Sequence, residues 1–247
     1  MKPGDVLKKL KSKEQKNLEC SQSGIPEKFS VFEHFPLNKK QCLYIFNWES
    51  RVIVHEKGLK SFTGYALEEF DTKDVINYTH PEDRELVKNI IYGVVNHVLN
   101  TPIQSKEAHL LLSYRFLKKN GDYRKVLVQS SVLERDKNGK ILTNLSLMSD
   151  ISFLDTHDRV EWEFYAKELD LIAFKKVIYK LYTNFYTKRE KEIISLIAKK
   201  NTSQEIADTL CLSKLTVQTH RKNILKKAKS HSIEDVLAFC KKNGIIE

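Results

Sequence analysis

The sequence predicts an α+β domain built on a five-stranded antiparallel sheet, followed by a separate all-α domain of four helices. Three observations lead there. Residues 41–56 and 109–151 carry strand formers punctuated by hairpin turns, and residues 57–98 between them are helical in pattern. Residues 187–243 show helical periodicity, with a capping residue before each of the first three helices. Basic residues are concentrated in that last segment: residues 187–247 hold 13 Lys and Arg against 7 Asp and Glu, whereas residues 31–186 hold 22 against 21.

A chain of 247 residues, 41% hydrophobic, can bury two ordinary cores. The four cysteines (Cys20, Cys42, Cys211, Cys240) lie far apart without a CxxC pair, which argues against a zinc ribbon or disulfide framework and fits a reducing cytoplasm. Lys8, Lys9, Lys11 and Lys13 interrupt any early apolar run, so no signal peptide is expected. No apolar stretch approaches the roughly 18 residues of a membrane span, so no membrane partner is expected.

Residues 1–30 form a basic N-terminal extension. Its weak stripe Val6, Leu7, Leu10 predicts a marginal helix, and Ser21–Pro26 a loop. Residues 31–156 form the α+β domain. Leu43–Phe46 and Val52–Val54 make a hairpin around Glu49 and Ser50. Short helical pieces follow, broken by Gly58, Gly64 and Asp71-Thr72. His80-Pro81-Glu82-Asp83 then opens a longer helix, because proline suits the first turn and carboxylates suit its positive end. Leu86, Val87, Ile90, Ile91, Val94 and Val98 give that helix its apolar side. Three strands close the domain, His109–Lys118, Tyr123–Glu134 and Ile141–Ile151, joined by turns at Asn120-Gly121 and Asp136–Gly139. Residues 157–186 are a connector expected to be mostly helical, from the spacing of Leu169, Ile172, Ala173, Val177, Ile178 and Leu181. Trp162, Phe164 and Tyr165 fit either a strand or a helix start. Tyr182, Phe185 and Tyr186 are placed to dock the connector on the first helix of the next domain.

In residues 187–247, Thr187 and Glu190 form a capping box ahead of Ile193, Ile194, Ile197 and Ala198. Asn201 stands at a left-handed exit, Ser203 caps the second helix (Ile206, Ala207, Leu210), and Ser213 caps the third. The third helix has an inner side of Val217, Ile224 and Ala228. Its outer side is polar and basic, the form in which a chain presents a helix to the major groove of DNA. Gln218 can pair with adenine, Lys222 can donate to guanine, and the Thr219 methyl can meet thymine. Thr216, Arg221 and Lys226 suit phosphates, as do Lys214 and Ser203. His220 reads as a packing or phosphate-side residue, and Cys211 and Cys240 as small buried fillers. A fourth helix over residues 232–243 carries Ile233, Val236, Leu237 and Phe239, apolar surface available for a dimer seam and hence for two half-sites of a near-palindrome.

Over residues 187–228, the segments TKREKEIISLIA, SQEIADTL and LSKLTVQTHRKNILKK resemble the LuxR/GerE-type helix-turn-helix of bacterial transcription regulators. The resemblance places Gln218, Thr219 and Lys222 at base-facing positions and Thr216, Arg221 and Lys226 at backbone-facing ones. Asn201 replaces the usual glycine after the first helix, and Ala228 the usual leucine after the final lysine.

Residues 40–152 resemble a PAS sensor domain through FTGY (Phe62–Tyr65), HPEDR (His80–Arg84), YRFLKKNGDY (Tyr114–Tyr123), DKNGK (Asp136–Lys140) and MSDIS (Met148–Ser152). That resemblance implies a cupped sheet around a small cavity, holding a small ligand or packed shut. The asparagine-cysteine signature of flavin-adduct light sensors is missing, and His97 is the one candidate haem ligand on a face where histidines are ordinarily structural. Neither haem nor flavin is expected. No HExxH, GxSxG or P-loop is present, so the chain is not read as an enzyme. The expectation is a one-component, homodimeric regulator of double-stranded DNA, answering to a small molecule or a protein. The alternative is a signalling adaptor whose PAS domain makes protein contacts while its basic domain binds non-specifically.

Overall fold

The computed structural model describes residues 27–70, 75–100, 108–154, 158–166, 169–181 and 185–246. The expected N-terminal helix around Val6, Leu7 and Leu10 lies outside the described residues.

The first domain is organised by a sheet of strands β1 (Gln41–Asn47), β2 (Val52–Lys57), β3 (Ala108–Leu117), β4 (Tyr123–Arg135), β5 (Ile141–Asp150) and β6 (Glu161–Ala166). The spatial order is β2-β1-β5-β4-β3-β6, with every pairing antiparallel. Between β2 and β3 lie α1 (Leu59–Thr63), two short 3-10 turns and α2 (Pro81–Asn100). The α+β expectation holds, and strand ends fall within three residues of those expected.

The sheet has six strands instead of five. The sixth comes from the connector, which is therefore not mostly helical. In β6 the side chains of Trp162, Phe164 and Ala166 are buried while their neighbours alternate outward, the period-two pattern of a strand with one covered face. Its register extends one row across the sheet, Cys42–Met148–Val128–Leu112–Trp162. These residues share a core with Leu86, Val87, Ile90, Val94 and Val98 of α2.

Helix α3 (Leu171–Leu181) leaves β6 and returns onto α2 at a point where no side chain fits. A Cβ on Gly93 would lie 2.0 Å from Ile178 Cδ1 and 3.7 Å from Phe174 Cζ. Ile178 is itself buried, so any shift it makes is into packed surroundings. Gly93→Val should therefore cost about 1–3 kcal/mol through overpacking, measurable as a lowered urea midpoint with an unchanged slope.

The second domain contains α4 (Lys188–Ala198), α5 (Ser203–Leu210), α6 (Lys214–Ala228) and α7 (Ile233–Lys242), the four expected helices. Phe239 of α7 packs in the same chain against Tyr179 and Phe185, with the Arg159 guanidinium 5.4 Å from its ring centre. Phe185 thus packs on the last helix of this domain, while Tyr182 lies outside the described residues. Much of the apolar surface of α7 expected at a dimer seam is covered internally: Val236, Phe239 and Cys240 are buried, and Ile233 and Leu237 half-buried.

Candidate nucleic-acid interface

The interface begins with how α4 and α5 hold α6. The Thr187 hydroxyl accepts from the Glu190 amide at 3.2 Å and the Glu190 carboxylate accepts from the Thr187 amide at 2.8 Å, completing the expected capping box. Burial works against the Glu190 charge, but the Lys227 ammonium at 2.6 Å and the Thr187 contacts hold its carboxyl below the ordinary range. This pair fastens the start of α4 to the end of α6.

Three local details differ from the sequence expectation. The left-handed residue after α4 is Lys200 (φ 64°), not Asn201. Asn201 instead donates from its backbone (3.1 Å) and its side chain (3.0 Å) to the Leu196 carbonyl, while Lys200 N–H reaches Ile197 O, a Schellman-type end. The cap of α5 is Thr202, not Ser203, because Glu205 stands three residues after Thr202 and closes a second capping box; Ser203 becomes the first helical residue, half-buried. Cys211 is exposed instead of filling the core, since it is the left-handed residue (φ 53°) at the turn between α5 and α6; Cys240 is fully buried, as expected.

Ser213 caps α6 as expected, accepting from the Thr216 amide at 3.0 Å. Val217, Ile224 and Ala228 are fully buried. The opposite face is open. Gln218, Thr219 and Lys222 are exposed, and the Thr219 hydroxyl donates to the Leu215 carbonyl at 3.0 Å. Of the residues assigned to phosphates, Lys214 and Lys226 are exposed, while Thr216 and Arg221 are half-buried. Thr216 is also tied by its hydroxyl to Ser213 at 2.8 Å. His220 is half-buried. The sequence reading overlooked Leu215, an apolar side chain 72% exposed in the first turn of α6.

The far end of α6 meets the first domain. Lys229 bridges to Glu82 at 2.7 Å, and Glu82 also accepts from Arg115 at 3.0 Å; Lys229 and then Arg115 lower the Glu82 carboxyl to about 2. A second bridge joins Lys242 to Glu163 at 3.0 Å. Lys226 lines the cleft between the domains, whereas Gln218, Thr219 and Lys222 do not.

Among the described residues no group of three or more His, Cys, Asp or Glu side chains could hold a metal ion, and no helix is long and apolar enough to cross a membrane.

Comparisons with known proteins match two separate stretches of the chain. Residues 52–147 match the PAS fold, and residues 184–239 match the luxR family of bacterial regulatory proteins. Over 62 residues the chain is 45% identical to an uncharacterised response regulatory protein, YgeK, of Escherichia coli strain K12, covering 25% of this chain and 42% of that protein. It is 35% identical over 60 residues to the transcriptional regulatory protein MctR of Rhizobium johnstonii, covering 24% and 28%. The chain thus spans less than half the length of either relative. A solved structure of the Vibrio cholerae VqmA dimer without target DNA, described as a LuxR-type receptor, covers 88% of this chain and 87% of its own at 15% identity and a TM-score of 0.30.

Proposed function

We infer that this chain, a PAS-like sensor domain fused to a LuxR/GerE-type helix-turn-helix domain, is a DNA-binding transcription regulator. The orientation of α6 carries the inference. One side of the helix is anchored by Val217, Ile224 and Ala228, and Gln218, Thr219 and Lys222 are exposed on another. A helix held this way can enter the major groove with its early turns nearest the base edges. Gln218, Thr219 and Lys222 read bases, while Lys214, Thr216, Arg221, Lys226 and the Ser203 end of α5 approach phosphates. The sensor, taken as residues 31–156, answers to a small ligand or a protein partner, and two copies read a near-palindrome.

The test is selection of bound duplexes from random DNA by the full chain at physiological salt. On the selected site, Lys222→Ala should cost about 1–3 kcal/mol and relax preference at one base pair. Arg221→Ala should weaken all sequences alike and lower the salt slope by about one. Binding indifferent to base sequence would refute base reading and favour the adaptor role.

A further inference from the structure

Helix α6 carries an exposed stripe at positions 215, 218, 219 and 222, the i, i+3, i+4, i+7 spacing of one helix face. Three members are the base-facing residues already named. The fourth is Leu215, and it stands out on three counts. It is apolar in an otherwise hydrophilic stripe. At 72% exposure it is the one exposed large hydrophobic side chain of the second domain among the described residues. It is also the second residue of α6, in the turn that comes nearest base edges when such a helix docks. Burial cannot account for it: Leu215 lies two residues, about 200° of helix rotation, from the anchor Val217. A solitary surface leucine is ordinary elsewhere on a protein. Here it occupies the surface through which the helix would meet DNA.

The major-groove edge of a base pair presents one prominent apolar group, the C5-methyl of thymine. Leucine has no donor or acceptor with which to engage the other groups of that edge. Placed over cytosine, guanine or adenine it would cover a polar atom without pairing it. Over thymine it buries a methyl. We propose that Leu215 is a specificity-determining residue that selects thymine at one position of the target by contact with its methyl group. The proposal rests on the DNA-reading function inferred above. It gives the first turn of α6 a role separate from the hydrogen-bonding ones of Gln218 and Lys222.

Replacing thymine by deoxyuridine removes that methyl and leaves every hydrogen-bonding group in place. The experiment takes the full chain and the duplex it selects, and replaces each thymine by deoxyuridine in turn on both strands. Binding is measured for the unaltered chain, Leu215→Ala and Thr219→Ser. The unaltered chain should lose about fourfold in affinity at one thymine of each half-site through Leu215, apart from any thymine met by Thr219, the effect of one methyl-sized apolar contact. Leu215→Ala should be weaker on the natural site and indifferent to the methyl at that position, while Thr219→Ser should remain sensitive to it. Alanine keeps helix propensity at this exposed position, so the variant should fold as the parent does. The proposal is overturned if no thymine is methyl-sensitive, or if Leu215→Ala keeps the sensitivity of the unaltered chain at every thymine. Failure to select any preferred duplex would instead refute the DNA-reading function itself, a result distinguishable from either.

Discussion

Asp83→Ala is expected to destabilise the sensor domain by about 3–5 kcal/mol, the effect of stranding a partly buried cation. Asp83 is 3% exposed in the first turn of α2. Its carboxylate accepts from Arg115 three times: from the guanidinium at 2.6 and 3.0 Å, and from the backbone N–H at 3.1 Å. These contacts fix the start of α2 to strand β3. Removing the carboxylate leaves Arg115 with the exposed Glu82 and, at 3.9 Å, Asp158. Removing both partners, as in Asp83→Ala with Arg115→Leu, should cost less than Asp83→Ala alone, because the guanidinium that the buried carboxylate neutralised is gone as well. Both tryptophans, Trp48 and Trp162, lie in this part of the chain, so urea unfolding followed by tryptophan fluorescence reports on it selectively. A loss below about 1 kcal/mol would assign the anchoring of Arg115 to its exposed partners.

The complementary expectation concerns the reader. Ile224→Ala should cost about 2–5 kcal/mol, the sum of lost transfer energy and the cavity left behind. Ile224 is fully buried and, with Val217, sets the rotation of α6 about its axis. The variant should lose specific DNA binding together with part of its helical circular dichroism, while its tryptophan emission stays native. If specific binding persists once the helical signal has fallen, α6 is not the reading element.

Local chemistry was legible wherever it dominates. The Asn120-Gly121 turn, the proline start of α2, the Thr187–Glu190 box and the Ser213 cap each depend on residues within a few positions of one another, and each is found. The inner face of α6 was legible because its three buried residues obey the helical period. Strand β6 was not, because Glu161–Ala166 alternates over only six residues and its two aromatics, Trp162 and Phe164, fit the first turn of a helix as well as a strand. Its partner β3 lies more than forty residues earlier, and only the pairing of Ala108 with Ala166 and of Leu112 with Trp162 decides the matter. The choice between Thr202 and Ser203 could have been made from the sequence, since only Thr202 has a glutamate at the capping-box distance. Leu215 could also have been found, by placing it on the helix wheel opposite Val217. The ion pairs between the domains, Lys229–Glu82 and Lys242–Glu163, depend on how two folded surfaces meet and leave no local signal.

The sixth strand has a consequence for colloidal behaviour. An unpaired β3 would offer ten residues of open backbone along a sheet margin, a template on which another chain could polymerise. Instead the sheet terminates on a segment of only six residues bearing Glu161 and Glu163. A margin that is brief and studded with charged side chains resists the addition of further strands, so this chain should tolerate concentration without forming fibrils through that side.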